Sequence, residues 1–91
     1  MQFEWDERKA ERNLRAHGVL FTEAETVFDD PLFLAFADSD HSRYEQRYII
    51  MGESNKGRVL VVAYTVRGSV TRIISARKAT RREKRFYEEN I

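Results

Sequence analysis

The run Val59-Leu60-Val61-Val62-Ala63-Tyr64-Thr65-Val66 constrains the fold more than any other part of the chain. Its β-branched and aromatic residues suit a pleated strand over residues 58–67. Tight turns bound it on both sides. Ser54-Asn55-Lys56-Gly57 reads as a hairpin turn before it, and Gly68-Ser69 as another after it. Residues 45–52 and 70–77 are therefore expected to pair with it as strands. A further apolar strand over 32–37, joined through a polar turn over 38–42, completes an antiparallel meander.

Helical signals flank the meander. A short first strand over 2–5 leads into Asp6, a good N-cap with Glu7 behind it, and a charged helix ends near His17 with Gly18 as its stop. Ala10 and Leu14, with Asn13 and His17, form its expected inward stripe. Thr22-Glu23-Ala24-Glu25 reads as a capping box that starts a second helix at Thr22, carrying Ala24, Val27 and Phe28 and ending before Asp29-Asp30-Pro31. Thr80-Arg81-Arg82-Glu83 is another capping box, opening a C-terminal helix with Phe86, Tyr87 and Ile91 turned inward. The order is β-α-α-β-β-β-β-α. This is an α+β fold in which an antiparallel meander carries its helices on one face, two N-terminal and one C-terminal. With 91 residues the chain forms one domain, 1–91.

Composition excludes several classes. There is no cysteine, so disulfide scaffolds and thiolate metal sites are out, and two histidines cannot build a structural zinc site. Residues 1–6 lack the pattern of a signal peptide, and no apolar run approaches the roughly 18 residues of a membrane span. A cytoplasmic protein without membrane association is expected. No internal repeat is visible.

Charge supplies the functional lead. Residues 67–85 hold 8 of the 16 Lys and Arg and a single acid, Glu83, giving that segment +7 and leaving the rest of the chain at −6. A field of that kind attracts polyanions such as RNA or DNA. Several of these arginines sit on a strand pattern. Simple alternation turns Arg72, Ile74 and Ala76 one way and Thr71, Ile73, Ser75 and Arg77 the other. Arg72 and Arg77 each have two readings, a guanidinium fork for phosphate or a bridge to an acidic helix residue such as Glu83. His17 could be a general base or could complement the helix dipole. His41 is expected to be solvated in its polar turn. Lys9 and Asn13, with Arg12 adjoining, make either a phosphate-binding edge or a solvent face. Glu45 and Arg47 share a strand face, as a cross-strand ion pair or with the carboxylate as a base. No Gly-rich phosphate loop, nucleophile elbow or Mg²⁺-type carboxylate cluster is present, so no cofactor is implied. A nuclease built from these residues would work without a metal. RNA permits that, because its own 2′-hydroxyl can attack the adjacent phosphate.

The motifs Phe3-Glu4-Trp5-Asp6, Lys9, Asn13, His17-Gly18-Val19, Phe21 and Glu23-Ala24 resemble the opening of the BrnT family of toxins. Glu45-x-Arg47 leading to Gly52, Val61-Val62-x-Tyr64, Arg67, the run Arg72-Ile73-Ile74-Ser75-Ala76-Arg77-Lys78-Ala79, Glu83 and Tyr87 extend the resemblance over nearly the whole chain. Where the family usually has Lys before His-Gly, this chain has Ala16, with Arg15 as the nearest cation. The resemblance implies a RelE-like fold and a ribonuclease of a type II toxin–antitoxin system that inhibits translation and growth. It implies RNA as substrate and a hetero-oligomeric complex with a BrnA-type antitoxin, which also binds operator DNA. By motif position it makes Lys9, Arg47, Arg67, Arg72 and Arg77 the phosphate-binding or catalytic cations, and Glu45 and His17 candidates for proton transfer. Tyr87 could offer a hydroxyl or stack on a base, though its helical spacing from Phe86 and Ile91 favours packing. The alternatives are a module that binds nucleic acid without cleaving it, and a degenerate toxin kept as an antitoxin partner.

Overall fold

Strand β4 (Val59–Arg67) lies in the middle of a five-stranded sheet ordered β1-β5-β4-β3-β2. The computed structural model describes residues 1–41 and 44–90, without the His41 side chain. The expected solvation of His41, the end of the polar turn at Ser42 and the inward Ile91 lie outside the described residues. Strands β2 (Leu34–Ala37), β3 (Arg47–Glu53), β4 and β5 (Val70–Lys78) form the expected antiparallel meander. The first strand, β1 (Gln2–Glu4), lies parallel to β5, so the sheet as a whole is mixed, not antiparallel. A helical crossover rather than a hairpin follows β1, and only such a connection permits parallel pairing.

The helices α1 (Glu7–His17), α2 (Phe21–Thr26) and α3 (Arg81–Glu89) do not share one face. Leu60 and Val62, with Ile50, Ile73 and Ala76, meet Val19, Phe21, Ala24 and Val27 under α1 and α2. Val59, Val61 and Met51 point oppositely and pack with Tyr87 of α3. An unbroken apolar run is what a strand covered on both sides requires, so the composition of β4 already contradicted a one-sided arrangement. On the α1/α2 face the core continues as an aromatic chain. Phe3 meets Phe28 at 5.1 Å, Phe28 meets Tyr64 at 5.1 Å, and Tyr64 stacks on Tyr48 at 5.4 Å between centroids.

Helix α1 is capped as its sequence dictates. The Asp6 side chain accepts the N–H groups of Arg8 and Lys9, and Gly18 takes the left-handed conformation at φ 68°. Its inward stripe differs from expectation. Leu14 is 43% exposed and His17 is exposed, whereas Asn13 is buried. The reason lies at the sheet edge. Strand β1 pairs only with residues 70–72 of β5. Further along that edge the Asn13 amide takes over, donating to the Ala76 carbonyl at 2.7 Å and accepting the Ala76 N–H at 3.0 Å. It also donates to the Val19 carbonyl at 3.1 Å.

Helix α2 starts at Phe21, with no side-chain cap at Leu20, and the Thr22 capping box does not form. Glu23 is buried and committed to Ser54 (2.7 Å) and the Arg58 guanidinium (Nε 3.0 Å) in the β3–β4 hairpin. Those two donors hold the Glu23 carboxyl below its ordinary range, Arg58 foremost, against the opposing effect of burial. The Thr80–Glu83 capping box of α3 does form, with bonds of 3.1 and 2.9 Å. Tyr87 is buried as expected, but Phe86 is 46% exposed and turns toward Phe36. Among the described residues no helix is long and apolar enough to cross a membrane.

Candidate functional site

A bulge in β5 decides which side chains meet. Ala63 lies opposite Ser75 and Tyr64 opposite Ile73, which leaves Ile74 as an extra residue without a partner in β4. Strict alternation therefore fails between Ile73 and Ser75. Ile73 and Ala76 share the α1/α2 core. Arg72, opposite Thr65, and Arg77, opposite Val61, then share the other face. The expectation that these arginines point to opposite faces is wrong, and the inserted residue is the cause.

On that face, register places Arg47, Thr65, Arg72 and Glu4 in one row across β3, β4, β5 and β1. Neighbouring strands are about 4.8 Å apart, so the Arg47 and Arg72 backbones stand roughly 10 Å apart on either side of Thr65. Thr65 is buried and donates to the Gln46 carbonyl at 2.7 Å, which fixes the entry into β3. The next row inward holds Ile49, Ala63 and Ser75, and the row after it Met51, Val61 and Arg77. Helix α3 covers Met51, Val59 and Val61 but stops short of the arginine row. Between the two lies a floor of small, half-buried side chains, Ala63 and Ser75. Arg47 and Arg72 bound it on one side, and Arg77 and α3 on the other.

Carboxylates accompany the arginines. Arg72 bonds Glu4 at 3.0 Å, Arg67 contacts Glu45 at 3.4 Å, and Arg77 grips Glu83 with both guanidinium nitrogens at 2.7 and 2.9 Å. Arg77 therefore makes the helix bridge, and Glu45 the cross-strand pair, that the sequence left open as alternatives. The Arg77 hydrogen bonds, supported by the Thr80 N–H and opposed by burial, pull the Glu83 carboxyl down to about 2. Glu83 in turn raises the pKa of Arg77.

Of the other candidates, Lys9 is exposed on the first turn of α1, beside this edge. The link is Asp6, whose carboxyl is lowered chiefly by the Lys9 N–H and, more weakly, by the charges of Lys9 and Arg72. His17 stands apart, at the far end of α1 beside Gly18, whose carbonyl accepts from Arg58 at 3.3 Å. Asn13 is a structural bridge, not part of a phosphate edge with Lys9. Tyr87 is packed, and its hydroxyl donates to Asp30; burial and that bond push it up to about 12. Sequence reasoning did not single out Glu4, Thr65 or Ser75 as site residues. Only register could bring them together, although Glu4 and Ser75 lie inside the quoted motifs.

A cavity of about 600 Å³ lies elsewhere, between the turn at residues 29–32, the β3–β4 hairpin and α3. Its lining holds four carboxylates, Asp29, Asp30, Glu53 and Glu88, against one cation, Lys84, so its balance is acidic where that of the arginine face is basic. Among the described residues no group of three or more His, Asp and Glu side chains is arranged to hold a metal ion.

Comparison with known proteins identifies the family and the fold. A family model for the ribonuclease toxin BrnT of type II toxin–antitoxin systems matches residues 5–83. The 1.1 Å crystal structure of the Brucella abortus ribonuclease toxin BrnT is similar, with 27% sequence identity and a TM-score of 0.69 over 89% of this chain and 99% of that one. No curated protein sequence matches the chain.

Proposed function

Because the chain belongs to the BrnT family of ribonuclease toxins of type II toxin–antitoxin systems, we propose that it cleaves RNA internally, without a metal ion, on the face bounded by Arg47, Arg72 and Arg77. The observation that carries this reading is the register that sets Arg47 and Arg72 in one row beside the small side chains of Ala63 and Ser75. The 2′-oxygen of RNA attacks the adjacent phosphorus, its proton passes to a base, and the bond to the 5′-oxygen breaks as that oxygen gains a proton. Arg47 and Arg72, in one row across Thr65, stabilise the charge of the pentacovalent phosphorane, and Arg67 and Arg77, in rows on either side, bind the neighbouring phosphates. Glu45 takes the proton once RNA draws Arg67 away from it, a reading supported by their contact at 3.4 Å. Lys9 extends the cationic edge. His17 lies apart and is the weakest candidate for proton transfer.

The reading includes the RelE-like arrangement, cytoplasmic action, and neutralisation in a hetero-oligomeric complex by a BrnA-type antitoxin that also binds operator DNA. One observation favours a non-catalytic module that only holds nucleic acid or antitoxin. Arg67, Arg72 and Arg77 each already contact a carboxylate, and RNA must displace these. Purified protein incubated with RNA in EDTA separates the two readings. Cleavage that persists and leaves a 2′,3′-cyclic phosphate is expected. Activity that vanishes with chelator and returns with Mg²⁺ refutes the metal-free mechanism, and no cleavage under any condition favours the binding module.

A further inference from the structure

Among the described residues strand β2 ends the sheet, and no strand pairs its outer side. The Asp38 N–H bonds the Arg47 carbonyl at 2.8 Å. Antiparallel alternation then makes residues 34, 36 and 38 the ones bonded to β3, and turns the N–H and C=O groups of Ala35 and Ala37 outward. Natural edges are guarded by lysine, proline, inward charges or bulges, and Leu34–Ala37 has none of these. Its surroundings are apolar as well. Leu32, Phe33, Phe36 and Phe86 are each between 43% and 48% exposed, with the Phe36 and Phe86 rings 6.4 Å apart.

The charges at the two ends of this edge say what fits it. Asp29 and Asp30 stand before the strand and Asp40 after it, with Glu53 and Glu88 in the adjoining cavity. Asp30 stays ionised. Burial would raise its pKa, but the Tyr87 hydroxyl and the N–H groups of Glu53 and Leu32 outweigh that. A second copy of this chain is a poor occupant. Antiparallel pairing brings Asp40 of each chain toward Asp29 and Asp30 of the other, and parallel pairing aligns acid with acid.

We infer that the β2 edge receives an extended segment of a partner protein, apolar at its centre and with lysine or arginine at both ends, which adds to the sheet as a further strand. Backbone bonds to Ala35 and Ala37 supply the register, Phe36 and Phe86 the apolar contact, and the aspartates the selectivity. This contact goes beyond the RNA reading, lies on a different part of the sheet, and has the opposite charge preference.

The test uses the full chain and a synthetic peptide, Lys-Lys-Val-Thr-Val-Thr-Val-Lys-Lys, with a control bearing Glu at the ends. Amide hydrogen exchange of Ala35 and Ala37 is read by NMR. Both amides should gain protection with the basic peptide, and the acidic control should bind about tenfold more weakly or worse. Ala35→Pro removes an outward N–H without touching the β3 ladder, and Ala37→Lys puts a charge on the edge. Each should abolish the protection at the amide left unsubstituted, Ala37 in the first variant and Ala35 in the second, while the far-UV spectrum is retained. Binding that ignores the end charges overturns the inference, as does exchange at Ala35 and Ala37 that stays as in the free protein. Protection that rises with protein concentration alone would assign the edge to a second copy. RNA is absent throughout, so failure here leaves the RNA reading standing.

Discussion

Arg72 and Arg77 share a face but differ in what holds them, and substitutions should separate their roles. Arg77 holds Glu83 bidentately, and the Glu83 carboxyl titrates at about 2 instead of 4.5. A depressed carboxylate contributes stability that is fully present above its unfolded pKa and is lost as pH falls through the folded one. Thermal unfolding of the native chain should therefore show a fall in Tm between pH 4.5 and about 2. In Arg77→Ala that fall should shrink, with a loss of about 1–2 kcal/mol at neutral pH after allowance for solvent screening of a partly exposed pair. Arg72 meets Glu4 through a single 3.0 Å bond between partly exposed groups. Arg72→Ala should cost under about 1 kcal/mol of stability yet lower RNA cleavage roughly a hundredfold, the scale for losing one transition-state donor. Full activity in Arg72→Ala would move the site away from this row. Nothing in the local sequence marks the bulge at Ile74, where no glycine signals it, so alternation put Arg72 on the wrong face. Long-range partners are equally invisible. Glu23 passed as an inner residue of the expected Thr22–Glu25 box because Ser54 and Arg58 are distant in sequence.

Elements with local signals were legible, and those positioned by tertiary contacts were not. The Asp6 cap, the Gly18 stop, the hairpin turns and the Thr80–Glu83 box all stand where turn and cap chemistry put them. The unbroken apolar run of β4 already pointed to cover on both sides, but the parallel place of β1, and which helix takes which face, depend on contacts that short-range patterns do not state. The clamp between α1 and β5 is the clearest such case. Asn13 satisfies both backbone groups of Ala76 and the carbonyl of Val19 where β1 no longer reaches. Asn13→Ala should therefore cost about 2–3 kcal/mol, the penalty for leaving buried backbone groups without partners. Leu14→Ala, at a position 43% exposed, should cost about 0.5 kcal/mol or less. Denaturant unfolding of the two variants gives the comparison. Equal costs would mean that α1 is held by its apolar stripe and not by the amide.

At the scale of the whole molecule the chain is an electrical dipole along its sequence, and the fold brings Lys84 of its basic segment to the acidic cavity. Arg47, Arg67, Arg72 and Arg77 gather on one part of the sheet, while Asp29, Asp30, Glu53 and Glu88 gather around the cavity at the hairpin end. The segment at residues 67–85 was visible in the sequence as a charge excess, and a cross-strand pair of Glu45 was one open reading, but the ion pair with Glu4 was not visible. An acidic or amphipathic antitoxin segment laid over these cations should associate at a rate that falls steeply with salt; stopped-flow rates indifferent to salt would contradict that placement. The same field sets the RNA affinity. Single-stranded binding loses about 0.7 in log K per log salt for each phosphate neutralised, so about four contacts give a slope near −3. Lys9→Ala should make the slope shallower, because Lys9 adjoins the Arg72 edge through Asp6. Lys56→Ala, in the hairpin turn next to the acidic cavity, should not. The measurement is affinity for a short single-stranded RNA at several salt concentrations, using a variant that binds but does not cleave. The outcome weighs two competitors for the same arginines. Each carboxylate contact at Arg67 and Arg72 is partly exposed and worth at most about 1 kcal/mol, less than a phosphate gains by releasing counterions at low salt. The pairs should therefore open for RNA, and the slope should be steep. A slope near zero would mean that Glu4, Glu45 and Glu83 keep their arginines, and that the dipole is spent inside the protein.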